Sequence, residues 1–148
     1  MSSDPHFIHA SAVMVGEGAV LIRGPSGSGK SQLALNLIDM GAGRGIFTRL
    51  IGDDRVALEV AAGRLLVSGH PSIVGLIEER GTGIISQNIA LSGVLRLCVD
   101  LAEEVARLPE AGQTQVEIEG VSLPRLTIRA DVPPHEAARR VLAAMNWT

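Results

Sequence analysis

The hydrophobic residues of this chain fall mostly into short runs, separated by turns that are rich in glycine and charged residues. Short apolar runs bounded by turn residues predict β-strands rather than long helices. The predicted strands cover residues 9–15, 19–23, 47–51, 56–60, 65–67, 94–101, 116–119 and 121–128. The pattern therefore predicts a protein in which strands outnumber helices.

Several of the predicted turns are tight enough to join antiparallel neighbours. Gly16-Glu17-Gly18 separates the first two strands, Ala61-Ala62-Gly63 separates a later pair, and Gly120 separates the last pair. Short glycine-containing turns of this kind are typical of β-hairpins. Pro124 places the last strand at an edge or a bend, because proline has no N–H for the ladder. Hairpins beside a strand–helix unit predict a mixed sheet.

Two segments have the spacing of amphipathic helices. The first covers residues 32–40 and ends at Gly41, and the second begins after Pro133-Pro134. Their predicted apolar faces are Leu33, Ala34, Leu37 and Ile38 in the first, and Ala137, Ala138, Val141, Leu142 and Met145 in the second. Residues 73, 74 and 77 predict one face of a further short helix. Residues 103–115 predict a polar surface loop, and residues 1–8 predict a loose terminus.

Composition narrows the class of protein. The length of 148 residues predicts a single domain, and 46% hydrophobic residues predict a globular one. A net charge of −3 argues against general nucleic-acid binding. No stretch is long and apolar enough to span a membrane, and the first residues lack the pattern of a signal peptide. The single cysteine, Cys98, lies in an apolar run and suits a reduced protein, so we expect a cytoplasmic one.

The strongest chemical motif lies between the second predicted strand and the first predicted helix. It fits the phosphate-loop pattern G-x-x-x-x-G-K-[ST] at every fixed position. Its residues are Gly24, Pro25, Ser26, Gly27, Ser28, Gly29, Lys30 and Ser31. Backbone N–H groups of such a loop converge on phosphate oxygens, and the helix N-terminus adds partial positive charge. Lys30 is expected to reach the β- and γ-phosphates, and Ser31 to bind Mg²⁺. The motif predicts binding of a nucleoside triphosphate.

Two adjacent carboxylates, Asp53 and Asp54, follow the strand at residues 47–51. Phosphoryl transfer needs a carboxylate for the metal and often a second one that accepts a hydroxyl proton. An ordinary acidic turn is the alternative interpretation, since Gly-Asp-Asp-Arg is good turn chemistry. The phosphate loop upstream favours the functional interpretation.

Two other residues are ambiguous on their own. Glu78 stands beside the glycine-rich stretch 81–83 and could bind metal, but a charged run more often marks a solvated helix end. His9 precedes a strand, and a lone histidine is more often structural or exposed than catalytic.

Taken together, these residues resemble a known family. His9-Ala10-Ser11-Ala12, the phosphate loop, Asp53-Asp54-Arg55-Val56, the stretch from Gly75 to Ile85 and Ala143-Ala144-Met145-Asn146 are similar to the catalytic domain of HPr kinase/phosphorylase. The order matches along nearly the whole chain. The phosphate loop is shared with many families, whereas the Glu-x-Arg-Gly-x-Gly-Ile-Ile stretch and the Asp-Asp-Arg-Val run are more specific.

The resemblance implies an ATP- and Mg²⁺-dependent kinase that acts on a serine of HPr, the phosphocarrier protein of the sugar phosphotransferase system. It implies that Lys30 is catalytic, that Asp54 accepts the serine proton and that His9 is a further active-site residue. Ser31, Glu78 and Asp53 are then expected at the metal. It also implies a phosphate-loop fold with a mixed sheet, similar to the nucleotide site of phosphoenolpyruvate carboxykinase, and assembly as a hexamer.

The chain departs from the family pattern in three places. Full-length members have an extra N-terminal domain, whereas this chain begins almost at the catalytic domain. No arginine lies between Gly81 and Leu95, where the family has one that serves dephosphorylation. Asp131-Val132-Pro133-Pro134-His135 replaces a basic, glycine-containing loop that serves the same reverse reaction. We therefore expect a kinase with weak or absent phosphorylase activity, similar to the short forms of alphaproteobacteria.

Two alternatives remain open at this point. A small-metabolite kinase would phosphorylate a small alcohol without a protein partner. A non-catalytic nucleotide sensor would bind ATP without transferring its phosphate.

Overall fold

The computed structural model describes residues 5–71, 75–79, 81–103 and 114–147. Its strands are β1 (His6–Ile8), β2 (Ser11–Val15), β3 (Gly18–Arg23), β4 (Thr48–Gly52), β5 (Val56–Ala61), β6 (Arg64–Gly69), β7 (Leu76–Glu79), β8 (Gly83–Ser86), β9 (Ser92–Ala102), β10 (Gln115–Ile118) and β11 (Val121–Arg129). Its helices are α1 (Lys30–Gly43) and α2 (Pro134–Ala144). The predicted mixed α/β fold is confirmed.

Within the described residues, nine strands form one sheet, in which β9 is the central element. The order β1-β5-β6-β9-β3-β2-β4 continues from β9 into β11 and β10 as a branch. The first residues of β9 pair antiparallel with β6, and its later residues pair parallel with β11. Its other edge pairs parallel with β3. Because β3, β9 and β11 run in the same direction, their carboxyl ends meet at one edge of the sheet.

Alternate residues of the strands build two separate cores. In β3, Val20 and Ile22 face the helices, and Ala19 and Leu21 face the opposite side. The helical side is filled by the buried faces of α1 and α2, including Leu33, Leu37, Val141 and Leu142. Aromatics are scarce, so aliphatic side chains fill both cores. This burial fixes α1, and with it the loop that precedes α1.

The predicted hairpins are confirmed. Strands β2 and β3 pair antiparallel around Gly16, β5 and β6 pair around Gly63, and β10 and β11 pair around Gly120. Pro124 lies where β11 leaves β10 and begins to pair with β9, which is the predicted bend.

Three predictions were wrong. Residues 1–4 lie outside the described residues, but His6–Ile8 of the predicted loose terminus form β1, which pairs with β5. Residues 73 and 74 also lie outside the described part of the chain, and Ile77 belongs to strand β7 rather than to a helix. Helix α1 extends to Gly43, so Gly41 lies inside the helix, against Thr48, instead of ending it.

The predicted loop at 103–115 is described only at its ends. Gln115 already belongs to β10, and residues 104–113 lie outside the described residues.

Candidate active site

The glycine-rich loop lies between β3 and α1, at the carboxyl edge of the parallel strands. Gly27 and Gly29 have φ of 81° and 99°, a left-handed backbone that favours glycine. A side chain at Gly24 has no room, because a Cβ there would lie 2.6 Å from Ser28 Oγ and 3.0 Å from the Leu101 carbonyl oxygen. The loop is thus closed tightly at its start and open at Gly27 and Gly29, where an added Cβ would meet no atom within 4 Å.

Lys30 is the first residue of α1 and folds back into the loop. Its Nζ donates to the Gly24 carbonyl oxygen at 3.0 Å and to the Pro25 carbonyl oxygen at 3.4 Å. The same Nζ lies 4.0 Å from Asp54 Oδ1. Only 8% of the Lys30 side chain is exposed. Its position is therefore fixed by the loop backbone, and its charge is held beside an acidic group.

Asp53 is buried. It belongs to one hydrogen-bond network with the hydroxyls of Ser31 and Ser11 and the backbone N–H of Asp54. Ser31 Oγ lies 2.7 and 2.9 Å from its two carboxylate oxygens and donates to the carboxylate. Ser11 Oγ donates to Asp53 Oδ1 at 2.8 Å and accepts the backbone N–H of Asp54 at 3.1 Å. Ser11 is completely buried. Sequence reasoning did not single out this serine, although it lies within the His9–Ala12 motif.

Asp54 differs sharply from its neighbour. Its side chain is 69% exposed, and its φ of 60° is unusual for a residue with a Cβ. The N–H bond to Ser11 and the turn between β4 and β5 hold this backbone. The two adjacent carboxylates thus lie in different environments. Asp53 is buried in a hydrogen-bond network, and Asp54 is exposed to solvent beside Lys30.

These groups line one cleft of about 290 Å³, which we call the phosphate cleft. Its lining residues are Ser26, Gly27, Gly29, Lys30, Ser31, Gln32, Asp53, Asp54 and Glu78. Glu78 reaches it from β7, in the separate β7–β8 hairpin, so the solvated helix end was the wrong structural interpretation. His9 does not line this cleft and lies exposed between β1 and β2. Its role stays a prediction.

The described residues contain no group of three or more histidine, cysteine or acidic side chains arranged to hold a metal ion. Magnesium in phosphate-loop proteins is bound by one or two protein groups together with phosphate oxygens and water. Ser31, Asp53 and Glu78 fit such a partial set, since they provide one hydroxyl and two carboxylates around one cleft.

A charged cluster ties the end of β3 to its neighbours just before the loop. Arg23 donates from Nε and Nη2 to the two carboxylate oxygens of Asp100 at 2.8 and 2.9 Å, and Arg125 Nε donates to Asp100 Oδ2 at 2.7 Å. Burial alone raises the pKa of Asp100, but the hydrogen bonds and charges of both arginines outweigh it and hold that pKa below its ordinary value. The pKa of Arg23 is raised, chiefly by its hydrogen bonds to Asp100.

The fold and the site define a mixed α/β protein with a phosphate-loop motif at the carboxyl edge of its parallel strands. The chain belongs to the family of the HPr Serine kinase C-terminal domain, which it matches over residues 2–144. The resemblance inferred from its motifs is confirmed.

Curated relatives agree with this assignment. The chain is 34% identical to the HPr kinase/phosphorylase of Limosilactobacillus reuteri over 153 residues, with 95% of this chain and 46% of the relative covered. It is 31% identical to that of Streptococcus thermophilus over 154 residues, with 95% and 47% covered. It is 36% identical to that of Lacticaseibacillus casei over 141 residues, with 86% and 42% covered. The chain thus spans about half the length of these relatives.

A solved structure has the same fold. The structure of the Hpr(Ser) kinase/phosphatase from Coxiella burnetii superposes with a TM-score of 0.73 at 24% identity, and covers 95% of this chain and 97% of that one. Neither described helix is long and apolar enough to cross a membrane.

Proposed function

We propose that this chain is an ATP- and Mg²⁺-dependent kinase that phosphorylates a serine of an HPr-like phosphocarrier protein in the cytoplasm. The observation that carries the proposal is the meeting of Lys30, Ser31, Asp53 and Asp54 in one cleft beside the glycine loop. The names of the curated relatives support the substrate. Assembly as a hexamer and a nucleotide site similar to that of phosphoenolpyruvate carboxykinase belong to the same proposal.

The loop fits a bound phosphate in two respects. Its glycines leave open space where an anion can approach the backbone N–H groups. Ser28 Oγ is buried without a hydrogen-bond partner among the described residues, an arrangement that costs about 1–3 kcal/mol. A loop with an unsatisfied hydroxyl and open glycines is consistent with one that is completed by a ligand.

Each side chain of the phosphate cleft has a separate task in phosphoryl transfer. Lys30 is positioned by two loop carbonyls, so its charge can stabilise the transferred phosphoryl group. Asp54 is exposed, and it is the carboxylate that an incoming serine hydroxyl can reach, so it accepts the proton. Ser31, Asp53 and Glu78 would hold Mg²⁺, which neutralises phosphate charge when bound. His9 is retained as a predicted active-site residue that acts from outside the described cleft lining.

The test is transfer of labelled γ-phosphate from ATP to purified HPr. We expect the native chain to label a serine, and Asp54→Asn to lower kcat by about 10²–10⁴-fold while ATP binding persists. Asp39→Asn is the matched control, because Asp39 is exposed on α1 and does not line the cleft. Native protein that binds ATP but labels no HPr would contradict the kinase assignment in favour of a sensor or another substrate.

The reverse reaction is proposed to be weak or absent. Lys30 is the cationic side chain among the described residues that line the phosphate cleft. In the sequence, no arginine lies between Gly81 and Leu95. Incubation of phosphoserine-HPr with inorganic phosphate should therefore release little unmodified HPr. Release at a rate close to that of phosphorylation would overturn this part of the proposal.

A further inference from the structure

Arg23 is the last residue of β3 and directly precedes the first glycine of the loop. The ladder between β2 and β3 ends at the pair Ser11–Ile22, whereas the ladder between β3 and β9 continues to the pair Arg23–Asp100. At its last residue, β3 is therefore held from the β9 side. Because the ends of strands open more easily than their centres, bonds at this pair matter for the loop that follows.

The Arg23 side chain reinforces the end of the ladder. Its Nε and Nη2 donate to the two carboxylate oxygens of Asp100 at 2.8 and 2.9 Å, which is the two-point geometry that a guanidinium and a carboxylate favour. Arg125 Nε donates to Asp100 Oδ2 at 2.7 Å from β11. Asp100 is thus oriented by one arginine and binds the other, which adjoins the loop.

The residues that follow Arg23 hold the lysine of the loop. Lys30 Nζ donates to the Gly24 carbonyl oxygen at 3.0 Å and to the Pro25 carbonyl oxygen at 3.4 Å. Both acceptors belong to the segment that leaves β3, whereas Lys30 itself begins α1. The position of the ammonium group therefore depends on where the end of β3 places these two carbonyls.

Close packing couples this segment to β9. A Cβ at Gly24 would lie 3.0 Å from the Leu101 carbonyl oxygen, and Leu101 directly follows Asp100. The ion pair between Arg23 and Asp100 and the contact between Gly24 and Leu101 thus join consecutive residues of the two chains. A shift of the end of β3 relative to β9 would move the Gly24 carbonyl, and Lys30 Nζ would move with it.

We propose that Arg23 is a positioning residue for Lys30, and that it acts through its ion pair with Asp100 and through the carbonyl of Gly24. The inference rests on the proposed function, in which Lys30 stabilises the transferred phosphoryl group. Catalysis is sensitive to such positioning, since a misplacement of about 1 Å can cost about 100-fold in rate. Arg23 lies outside the pattern G-x-x-x-x-G-K-[ST], so the motif does not identify it.

Two glutamine variants provide the test. Arg23→Gln and Arg125→Gln each remove one guanidinium from Asp100, and the two native side chains are equally exposed, at 33%. Arg23 adjoins the loop, whereas Arg125 lies on β11. We expect Arg23→Gln to lower kcat for HPr phosphorylation about tenfold relative to Arg125→Gln, with the KM for ATP within about threefold. An equal loss of kcat in the two variants would overturn the inference.

A second measurement reports on Lys30 without requiring activity. Lys30 is the only lysine of the sequence, so acylation of lysine by acetic anhydride, followed by mass spectrometry, measures this one side chain. The α-amino group of the chain is the internal reference. Lys30 is 8% exposed and bound to two carbonyls, so it should react slowly in the native chain. We expect acylation about fivefold faster in Arg23→Gln than in Arg125→Gln, because the end of β3 opens more often.

Asp100→Asn repeats the test from the other side of the ion pair and replaces Arg23→Gln if that variant does not fold. It should also accelerate the acylation of Lys30 relative to Arg125→Gln. Acylation at one rate in all three variants would overturn the inference even if kcat fell, because Lys30 would then be held without Arg23. If the native chain phosphorylates no HPr, the proposed function fails, and the acylation rates still decide whether Arg23 positions Lys30.

Discussion

At the scale of single residues, Ser11 connects the two carboxylates of the site, although no motif marked it as a site residue. Ser11 donates to Asp53 and accepts from the backbone of Asp54, so it links the buried carboxylate to the exposed one. The two partners are 42 and 43 residues away in sequence. We therefore expect Ser11 to position the acidic pair.

Ser11→Ala should lower kcat about tenfold and leave the KM for ATP within about threefold, because Lys30 and the loop are not altered. It should also lower the free energy of unfolding by about 1–2 kcal/mol, since the Asp54 N–H loses its acceptor. Steady-state kinetics and urea unfolding measure the two effects. Ser11→Thr retains the hydroxyl and is the rescue variant. A purely structural role would lower stability without the selective loss of kcat.

Cys98 allows a second test at this scale. Burial, and then the nearby charge of Asp100, raise the pKa of its thiol to about 12. At about pH 8 the thiolate fraction is on the order of 10⁻⁴, so alkylation by iodoacetamide should be at least about 100-fold slower in the folded chain than in urea. Cys98 is the only cysteine, so mass spectrometry reports on it directly. Equal rates in both conditions would contradict the buried placement.

The sequence predicted those site residues that can be recognised from their immediate neighbours in the chain. The phosphate loop, Asp53 and Asp54 were found because each follows a strand within a few positions, and the structure brings them into one cleft. Ser11 and the Arg23–Asp100–Arg125 cluster were not found, because their partners are distant in sequence and the sheet order alone brings them together.

At the scale of elements, the packing of α1 on β4 depends on one glycine. A Cβ at Gly41 would lie 2.3 Å from Thr48 Cγ2, and Thr48 is buried and donates to the Ile38 carbonyl oxygen. At Gly43, two residues further along the same helix, a Cβ would meet nothing within 4 Å. Alanine substitutions at the two positions therefore distinguish the effect of helix propensity on stability from the effect of close packing.

Gly41→Ala should destabilise the chain by about 1–3 kcal/mol, because Thr48 must move and its hydrogen bond is disturbed. Gly43→Ala should be neutral or stabilise it by up to about 1 kcal/mol, because alanine favours a helix and meets no neighbour. Thermal and urea unfolding of both variants make the comparison. Destabilisation of both by the same amount would show that space at Thr48 is not the cause.

The strands that the sequence did not predict were missed for one physical reason, their short length. Strands β1, β7 and β8 have only three or four residues each, too few for periodicity to be distinguished from a turn or a helix. β7 alternates exposed Leu76, buried Ile77 and exposed Glu78, which becomes a clear strand pattern only when β8 supplies its partner. Longer strands were predicted within about two residues, as for β3 and β9.

At the scale of the whole molecule, β9 joins the two halves of the sheet, and Asp100 lies near its carboxyl end. In the parallel register Arg23 of β3 lies opposite Asp100, and Arg125 reaches it from β11. The cluster therefore ties β3, the strand before the glycine loop, to β9 and β11. Since two of its members are about one-third exposed, solvent reduces the strength of these ion pairs.

Asp100→Asn should lower the free energy of unfolding at neutral pH by about 1–2 kcal/mol, because both arginines lose their charged partner. Asp131→Asn is the matched control: it removes an ion pair in which both side chains are mostly exposed, and the expected change is close to zero. Urea unfolding at neutral pH compares the two variants with the native chain.

The pH dependence separates charge from packing. The folded pKa of Asp100 lies below its unfolded value, so its contribution is complete above about pH 4 and is lost as the pH falls through the folded pKa. The stability gap between the native chain and Asp100→Asn should therefore narrow as unfolding is repeated from about pH 6 down to about pH 3. A gap that stays constant would mean that asparagine disturbs packing rather than charge. A narrowing gap would establish that the ion cluster stabilises the parallel strands at whose carboxyl edge the glycine loop lies.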